Sequence, residues 1–211
     1  LQTDKTSGVG QLIVITSTSP SEGKTTTAIN TAAALAEDGA KVLLIDADLR
    51  HPSVAHHLGL EGTAGLAHVL SGQMTPKDVV QNYWKQSLHI LPAGKRPANA
   101  GVLLGSETMK LMVEQALTQY DYVVIDTAPL SVSNDGAVFG RWAKGLVLVT
   151  GRGVCEKKEL QEVANTLHIA EVPVLGFIFN FADPKKVHSH SNYYYYYEDG
   201  APRSTRKGKR H

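Results

Sequence analysis

This chain of 211 residues has one cysteine, a net charge close to zero and no long apolar run. Its single cysteine, Cys155, excludes an internal disulfide and any cluster held by several cysteines of one chain, and it fits a reducing compartment. Lysine and arginine total 21 against 20 acidic residues, so no overall field marks a nucleic-acid-binding protein. No run reaches the roughly 18 apolar residues of a spanning helix. The chain begins at Leu1 rather than at a methionine, so we expect a piece of a longer protein, without a signal peptide and with any membrane anchor outside it.

Short apolar runs alternate with helical patterns along most of the chain, whose length fits one α/β domain. Continuous apolar runs predict the buried strands of a parallel sheet. These runs are residues 12–16, 42–45, 88–91, 122–125, 146–149 and 174–179. A helix is predicted after Gly23, another begins at the N-cap Ser106, and the region between Pro52 and Pro97 is irregular. We therefore predict a doubly wound, mainly parallel sheet with helices on both faces.

A phosphate-binding loop, residues 20–26, is predicted between the first strand and the first helix. Such a turn directs backbone N–H groups inward, and the helix dipole adds positive charge, so a triphosphate fits there. Lys24 would reach the β- and γ-phosphates and Thr25 would ligate Mg²⁺. The usual pattern has a glycine five positions before Gly23, where this chain has Thr18. For this segment alone, an ordinary capped turn is the alternative. The predicted nucleotide-binding residues of the loop are Ser21, Glu22, Gly23, Lys24, Thr25 and Thr26.

Three aspartates, Asp46, Asp48 and Asp126, lie at or just after the ends of apolar runs, and we call them the acidic cluster. The carboxyl ends of parallel strands are where open α/β sheets bind ligands. Mg²⁺ takes few protein carboxylates together with waters and phosphate oxygens, so such a cluster beside a phosphate loop suits it. We predict that Asp46 and Asp126 handle the metal with Thr25, and that Asp48 accepts a proton. With Lys24, the acidic cluster forms the predicted catalytic set. Taken singly, each aspartate would equally fit a helix or turn cap.

The hydrophobic pattern stops near Ala182, so we predict a folded domain over residues 1–181 and a flexible tail over residues 182–211. The tail carries five consecutive tyrosines, which follow neither helical nor strand period and cannot all face one core. They are Tyr193, Tyr194, Tyr195, Tyr196 and Tyr197. An ATP site in the same chain favours their being phosphate acceptors. The alternative is an aromatic patch that packs against a partner.

Taken together, these motifs resemble the cytoplasmic domain of the bacterial tyrosine kinases that regulate polysaccharide export, within the P-loop NTPase superfamily. The resemblance covers nearly the whole chain, and its most specific part is the Asp-x-Asp-x-Arg-x-Pro segment at residues 46–52. It also includes Asp126-Thr127-Ala128-Pro129, with Asp135 after it. In that family Lys24 and Thr25 match the nucleotide-loop positions, Asp46 and Asp126 the magnesium-handling carboxylates, and Asp48 the proton acceptor.

The resemblance further implies ATP and Mg²⁺ as cofactors and phosphorylation of the tail tyrosines on a neighbouring subunit of a ring-type homo-oligomer. It implies a membrane-anchored activator segment, on the same or a separate chain, and a tyrosine phosphatase, with no nucleic acid. The location implied is the cytoplasmic side of the bacterial membrane. The family's rings are packed together by an arginine-containing helix before the first strand, which the given sequence does not include, so ring formation by this chain alone is left open.

Several alternatives remain open at this point. A partitioning or positioning ATPase of the same superfamily is the main rival, but it typically has a lysine where this chain has Ser19. A nucleotide-gated export scaffold is a third interpretation. Arg50 would contact phosphate, a neighbouring subunit or an aspartate. Asn180 ends the last predicted strand, where related domains contact the base, although asparagine there is also a common turn residue.

Overall fold

The computed structural model describes residues 9–183 of the chain. The strands of this part are β1 (Gln11–Ser17), β2 (Val42–Asp46), β3 (Gln81–Tyr83), β4 (Lys85–Leu91), β5 (Tyr122–Asp126), β6 (Leu146–Gly151) and β7 (Val174–Asn180). The helices are α1 (Lys24–Glu37), α2 (Val54–Leu58), α3 (Leu66–Leu70), α4 (Pro76–Val79), α5 (Ala100–Leu104), α6 (Glu107–Leu117), α7 (Asp135–Trp142) and α8 (Lys157–Ile169).

The strands form one sheet in the order β3-β4-β2-β5-β1-β6-β7, and every neighbouring pair except β3 with β4 is parallel. Apolar side chains of each central strand alternate between two cores, one on each face. In β2, Val42 and Leu44 pack with α1, whereas Leu43 and Ile45 belong to the core formed with α6, α7 and α8. The predicted doubly wound α/β fold is therefore confirmed.

The helix α1 approaches the sheet closely because the side chains that it buries there are small. Three alanines spaced four residues apart form one stripe of the helix and are almost fully buried. They are Ala28, Ala32 and Ala36. This packing holds the N-terminus of α1, and with it the phosphate-binding loop, against the sheet edge formed by the strand ends.

The register of the central strands brings two of the predicted site residues together. In the parallel pairing of β2 with β5, Asp46 stands beside Asp126, and the N–H of Ala47 donates to the carbonyl of Asp126 at 2.8 Å. On the other side of β5 lies β1, which leads into the phosphate-binding loop. The strand order therefore places the loop and the acidic cluster at one edge of the sheet.

Two elements differ from the sequence-based expectation. The short strand β3 was not predicted, because its three residues are polar or half-buried and give no apolar run. The prediction of a buried last strand was wrong: β7 is an edge strand, and Leu175, Phe177 and Phe179 are 64%, 72% and 52% exposed within the described part of the chain. A continuous apolar run does not reveal whether a strand has neighbours on both sides.

Other predictions concern the ends of helices and the tail. The predicted N-cap at Ser106 is confirmed, since its hydroxyl accepts from the N–H of Met109 at 3.2 Å. The five tail tyrosines lie outside the described residues, and the boundary between domain and tail stays a prediction. Between residues 9 and 183, none of the helices combines the length and apolar character that crossing a bilayer requires.

Candidate active site

The phosphate-binding loop curls tightly between β1 and α1. Ser21 and Gly23 both have left-handed backbone conformations, with φ of 64° and 88°. A Cβ atom at Gly23 would lie 2.6 Å from Nδ2 of Asn180, so both the conformation and the space require glycine there. Backbone concavities with residues of this hand bind anions. The loop therefore has the shape that a phosphate group requires.

Lys24 lies between two members of the acidic cluster. Its Nζ atom is 3.1 Å from Oδ2 of Asp48 and 3.5 Å from Oδ1 of Asp126. Burial alone would lower the pKa of Lys24, but the charges of Asp126 and Asp48 outweigh it and hold the pKa above its usual value. The ammonium group thus supplies part of the positive charge that these carboxylates require.

Asp126 and Asp46 are buried side by side at the ends of β5 and β2. Oδ2 of Asp126 accepts from the Thr25 hydroxyl at 2.7 Å, whereas its Oδ1 is contacted among the described residues only by the Lys24 ammonium, at the long distance of 3.5 Å. Burial raises the pKa of Asp126. Burial and the neighbouring Asp126 raise the pKa of Asp46 to about 7, although the N–H groups of Ser53 and Val54 donate to its Oδ2 at 3.1 and 3.0 Å. Both carboxylates therefore lack sufficient positive charge.

These features fit the predicted magnesium site. A buried carboxylate oxygen that has only a long contact with Lys24, and a threonine hydroxyl beside it, are oxygen ligands that Mg²⁺ accepts. Thr25, Asp46 and Asp126 are the residues that would hold the ion. In residues 9–183, no group of three or more His, Cys, Asp or Glu side chains could enclose a metal by itself. Mg²⁺ suits such an open arrangement because it keeps waters and phosphate oxygens among its ligands.

Asp48 has a different position from the other two aspartates, since it lines the cavity in front of the loop. Its Oδ1 accepts from the N–H of His51 at 2.9 Å, and its Oδ2 faces Lys24. Two residues further on, Arg50 forms an ion pair with Asp135 at the start of α7. Of the three alternatives for Arg50, pairing with an aspartate is the one that the structure contains. The pair links the segment carrying Asp48 to α7.

The cavity has a volume of about 760 Å³, within the range of small-molecule sites. The predicted site residues that line it are Ser21, Gly23, Lys24, Thr25, Thr26, Asp48 and Asn180. Asp46 and Asp126 lie beneath it. Ser53 was not among the predicted site residues, but its hydroxyl is 3.0 Å from that of Thr25 and it also lines the cavity. Its position directly after the 46–52 motif is the only sequence signal for it.

Two further predicted residues make contacts within the protein. The Nδ2 of Asn180 donates to the backbone carbonyl of Glu22 at 2.7 Å. The carboxylate of Glu22 is buried and accepts hydrogen bonds from the N–H of Ser19 at 2.6 Å, the hydroxyl of Thr150 at 3.1 Å and the N–H of Gly151 at 3.0 Å. Contact of nucleotide with Glu22 or Asn180 stays a prediction, as do the roles of the other site residues.

Comparison with known proteins gives several matches. A family model described as ParA, NUBPL iron-transfer P-loop NTPase matches residues 8–210. Tyrosine-protein kinase YwqD of Bacillus subtilis (strain 168) is 40% identical over 184 residues, which are 87% of this chain and 76% of that protein. Tyrosine-protein kinase ptk of Acinetobacter johnsonii is 33% identical over 169 residues, 80% of this chain and 23% of that protein. The kinase domain of Escherichia coli tyrosine kinase ETK superposes with a TM-score of 0.78 at 31% identity, covering 89% of this chain and 72% of that one.

Proposed function

The chain belongs to the bacterial tyrosine kinases within the ParA-like P-loop NTPases, and we propose that it uses ATP to phosphorylate the tyrosines of its own tail on a neighbouring copy. The acceptors are Tyr193, Tyr194, Tyr195, Tyr196 and Tyr197. The observation that carries this proposal is the convergence of a loop lysine, a loop threonine and the acidic cluster at one end of the sheet, beside and beneath the cavity. Lys24 lies within 3.5 Å of both Asp48 and Asp126, and Thr25 hydrogen-bonds to Asp126.

Phosphoryl transfer depends on positioning and on charge neutralisation more than on covalent help from the protein. Lys24 and the backbone N–H groups of the phosphate-binding loop hold the phosphates. Mg²⁺, held by Thr25, Asp46 and Asp126, would neutralise charge on the phosphate oxygens. The tyrosine oxygen bonds to the γ-phosphorus as the bond from that phosphorus to the ADP oxygen breaks, and Asp48 accepts the hydroxyl proton. Asp48 is suited to this role because it borders the cavity, where an incoming tyrosine would lie.

The biological setting of the kinase is part of the same proposal. Each phosphate adds about 1.5 to 2 negative charges to the tail, which changes how the tail docks. We propose that this charge regulates assembly of a ring-type homo-oligomer, and through it the polymerisation and export of exopolysaccharide. A membrane-anchored activator segment, on the same or a separate chain, would switch the kinase on at the cytoplasmic side of the membrane. A tyrosine phosphatase would reset it.

The rival function, a partitioning-type ATPase without a protein acceptor, is disfavoured at Ser19. The N–H of Ser19 donates to Glu22, and its hydroxyl donates to Glu159 at the start of α8 at 3.2 Å. A lysine that completes the site of a partner, as in those ATPases, is therefore replaced by a serine held within its own domain. The iron-transfer function in the name of the family model is disfavoured by the single cysteine.

The test is incubation of the chain with labelled ATP and Mg²⁺, followed by mapping of phosphotyrosine. We expect label within residues 193–197. Mixing a chain that carries all five Tyr→Phe substitutions with a Lys24→Met chain separates the two routes, because only transfer between copies then labels the Lys24→Met chain. Hydrolysis of ATP without phosphotyrosine would favour the ATPase. If the wild-type chain is labelled but the Lys24→Met chain in the mixture is not, transfer in trans is contradicted.

A further inference from the structure

We propose that Glu22 is a positioning residue: its buried carboxylate fixes the phosphate-binding loop to the carboxyl end of β6 in the shape that receives the triphosphate. This inference rests on the ATP site of the proposed function, and it gives the side chain of Glu22 a task other than touching the nucleotide. Glu22 lies next to Gly23 and Lys24, yet its side chain does not line the cavity and is only 1% exposed.

The hydrogen bonds of the Glu22 carboxylate join three separate parts of the chain. Oε2 accepts from the N–H of Ser19, immediately before the loop. Oε1 accepts from the hydroxyl of Thr150 and the N–H of Gly151, at the end of β6. All three partners donate, and two of them are backbone N–H groups that cannot accept. The position therefore requires a side chain that accepts at both ends, which among the planar side chains of this size means a carboxylate.

The backbone of the same residue is held from the neighbouring strand. The carbonyl of Glu22 accepts from Nδ2 of Asn180, the last residue of β7. Glu22 is thus fixed to β6 through its side chain and to β7 through its main chain. A further hydrogen bond fixes the start of the loop: the Ser19 hydroxyl donates to the carboxylate of Glu159. That carboxylate also accepts from the N–H of Glu156 at the start of α8.

The conformation of the loop explains why such anchoring matters. Glu22 lies between Ser21 and Gly23, both of which have positive φ. A non-glycine residue such as Ser21 adopts this conformation at a cost, and it persists only where the surroundings determine it. Without the carboxylate, the loop would sample other shapes. The apparent affinity for ATP falls by the fraction of molecules that lose the competent shape, while the chemical step in a saturated site is spared.

The test compares Glu22→Gln with Glu37→Gln, which changes an exposed glutamate at the C-terminal end of α1, the helix that follows the loop. Whichever way the amide is turned, one buried N–H group faces an NH₂ group and loses its acceptor. We expect the Kd and KM for Mg·ATP to rise about tenfold in Glu22→Gln, with kcat at saturating ATP within about twofold, and no change in Glu37→Gln. A merely structural loss of folded enzyme would lower kcat and leave Kd and KM unchanged, and that result would overturn the proposal.

A double-mutant cycle with the milder Thr150→Val sharpens the test. Both variants weaken the same anchor, so their effects on Kd for Mg·ATP should be clearly less than multiplicative. Fully multiplicative effects would overturn the proposal. Calorimetric Kd values do not depend on the acceptor. If wild-type chain binds ATP but labels no tyrosine, while Glu22→Gln still binds ATP about tenfold more weakly, the positioning role stands and the kinase assignment fails.

Discussion

The carboxylates on the two sides of the phosphate-binding loop differ in how their oxygens are paired. On the β6 side, the two oxygens of Glu22 accept three hydrogen bonds from fixed donors. On the β2–β5 side, one oxygen of Asp126 has within residues 9–183 only the Lys24 ammonium at 3.5 Å, and the pKa values of Asp126 and Asp46 are raised. Both groups are equally buried, so burial alone does not explain the difference.

The difference fits the roles that we propose: Glu22 positions the loop, and Asp46 and Asp126 bind the metal. A fully hydrogen-bonded buried group rigidifies the structure, whereas an incompletely paired one marks a place where charge is to be supplied. Clustered groups with raised pKa values in a cleft are typical of functional sites. Lys24 supplies part of the missing charge, and the two sides of the loop should therefore respond differently to substitution, to pH and to Mg²⁺.

The largest effect is expected at Asp48, the member of the acidic cluster that borders the cavity. Asp48→Asn keeps an acceptor for the N–H of His51 but removes the carboxylate that we propose as the proton acceptor for tyrosine. We expect tail phosphorylation to fall about 10²- to 10⁴-fold while most of the ATP affinity is retained. Labelled-ATP assays and calorimetry measure the two quantities, with the exposed Asp38→Asn as control. Unchanged phosphorylation would remove the proton-accepting role.

The next effect concerns the charge of Lys24. Lys24→Met leaves Asp48 and Asp126 buried without their cation, so we expect the free energy of unfolding at pH 8 without Mg²⁺ to fall by about 3–5 kcal/mol. Chemical denaturation measures it, with the exposed Lys77→Met as control. Adding Asp126→Asn to Lys24→Met should restore part of the loss. A Lys24→Met chain as stable as the wild type would contradict the view that Lys24 compensates the acidic cluster.

A smaller effect is expected from pH. Between the unfolded-state pKa of Asp46, near 3.8, and its folded value of about 7, the native protein holds a proton that the unfolded chain has released. Stability without Mg²⁺ should therefore fall as pH rises through this window, by at most about 1.4 kcal/mol per pH unit from this group. Asp126 contributes in the same direction.

Histidine side chains also titrate within this window and change the stability of every variant. The informative quantity is therefore the difference between variants in how steeply the free energy of unfolding falls with pH. In denaturation series from pH 5 to 8, Asp46→Asn should show a smaller decline than the wild type, whatever its absolute stability. Asp38→Asn should follow the wild type. Equal slopes for Asp46→Asn and wild type would show that Asp46 is not protonated in the folded state.

Much of the acidic side of the site could be predicted, because its signals are local. Apolar runs ending in aspartate indicate strand ends, and parallel strands end at one edge, so Asp46 and Asp126 were expected to lie together. The exposure of β7 could not be predicted, since an apolar run is the same for an edge strand as for a central one. The strand β3 carries too few residues to give a pattern.

The anchored side was harder to predict, because its contacts are distant in sequence. Glu22 and Thr150 are 128 positions apart, and neither residue's neighbours indicate the other. The loop motif placed Glu22 near the nucleotide but did not distinguish a side chain facing the cavity from one facing the protein. The place of Ser53 in the site was hard to predict for the same reason, since only the fold brings its hydroxyl close to that of Thr25.

The smallest effect is expected at Thr18, where the usual loop pattern has glycine. Thr18 is fully buried and its carbonyl accepts from the N–H of Ser131, but its hydroxyl has no hydrogen-bond partner in the described part of the chain. Thr18→Val replaces that hydroxyl by a methyl group of similar shape. The free energy of unfolding should therefore stay unchanged or rise by up to about 1 kcal/mol, with phosphorylation within about twofold of wild type.

The matched control for Thr18→Val is Thr16→Val, two residues earlier in β1, where the hydroxyl donates to the carbonyl of Ala128 at 2.9 Å. Losing that bond leaves the Ala128 carbonyl with only the Thr127 hydroxyl, at 3.2 Å, as a donor, so Thr16→Val should cost about 0.5–1.5 kcal/mol in the same denaturation experiment. Equal losses at both positions would mean that the Thr18 hydroxyl is paired in solution. The beginning of the loop would then have a further anchor besides Glu22 and the Ser19 hydroxyl, and the contrast between the two sides of the loop would be larger.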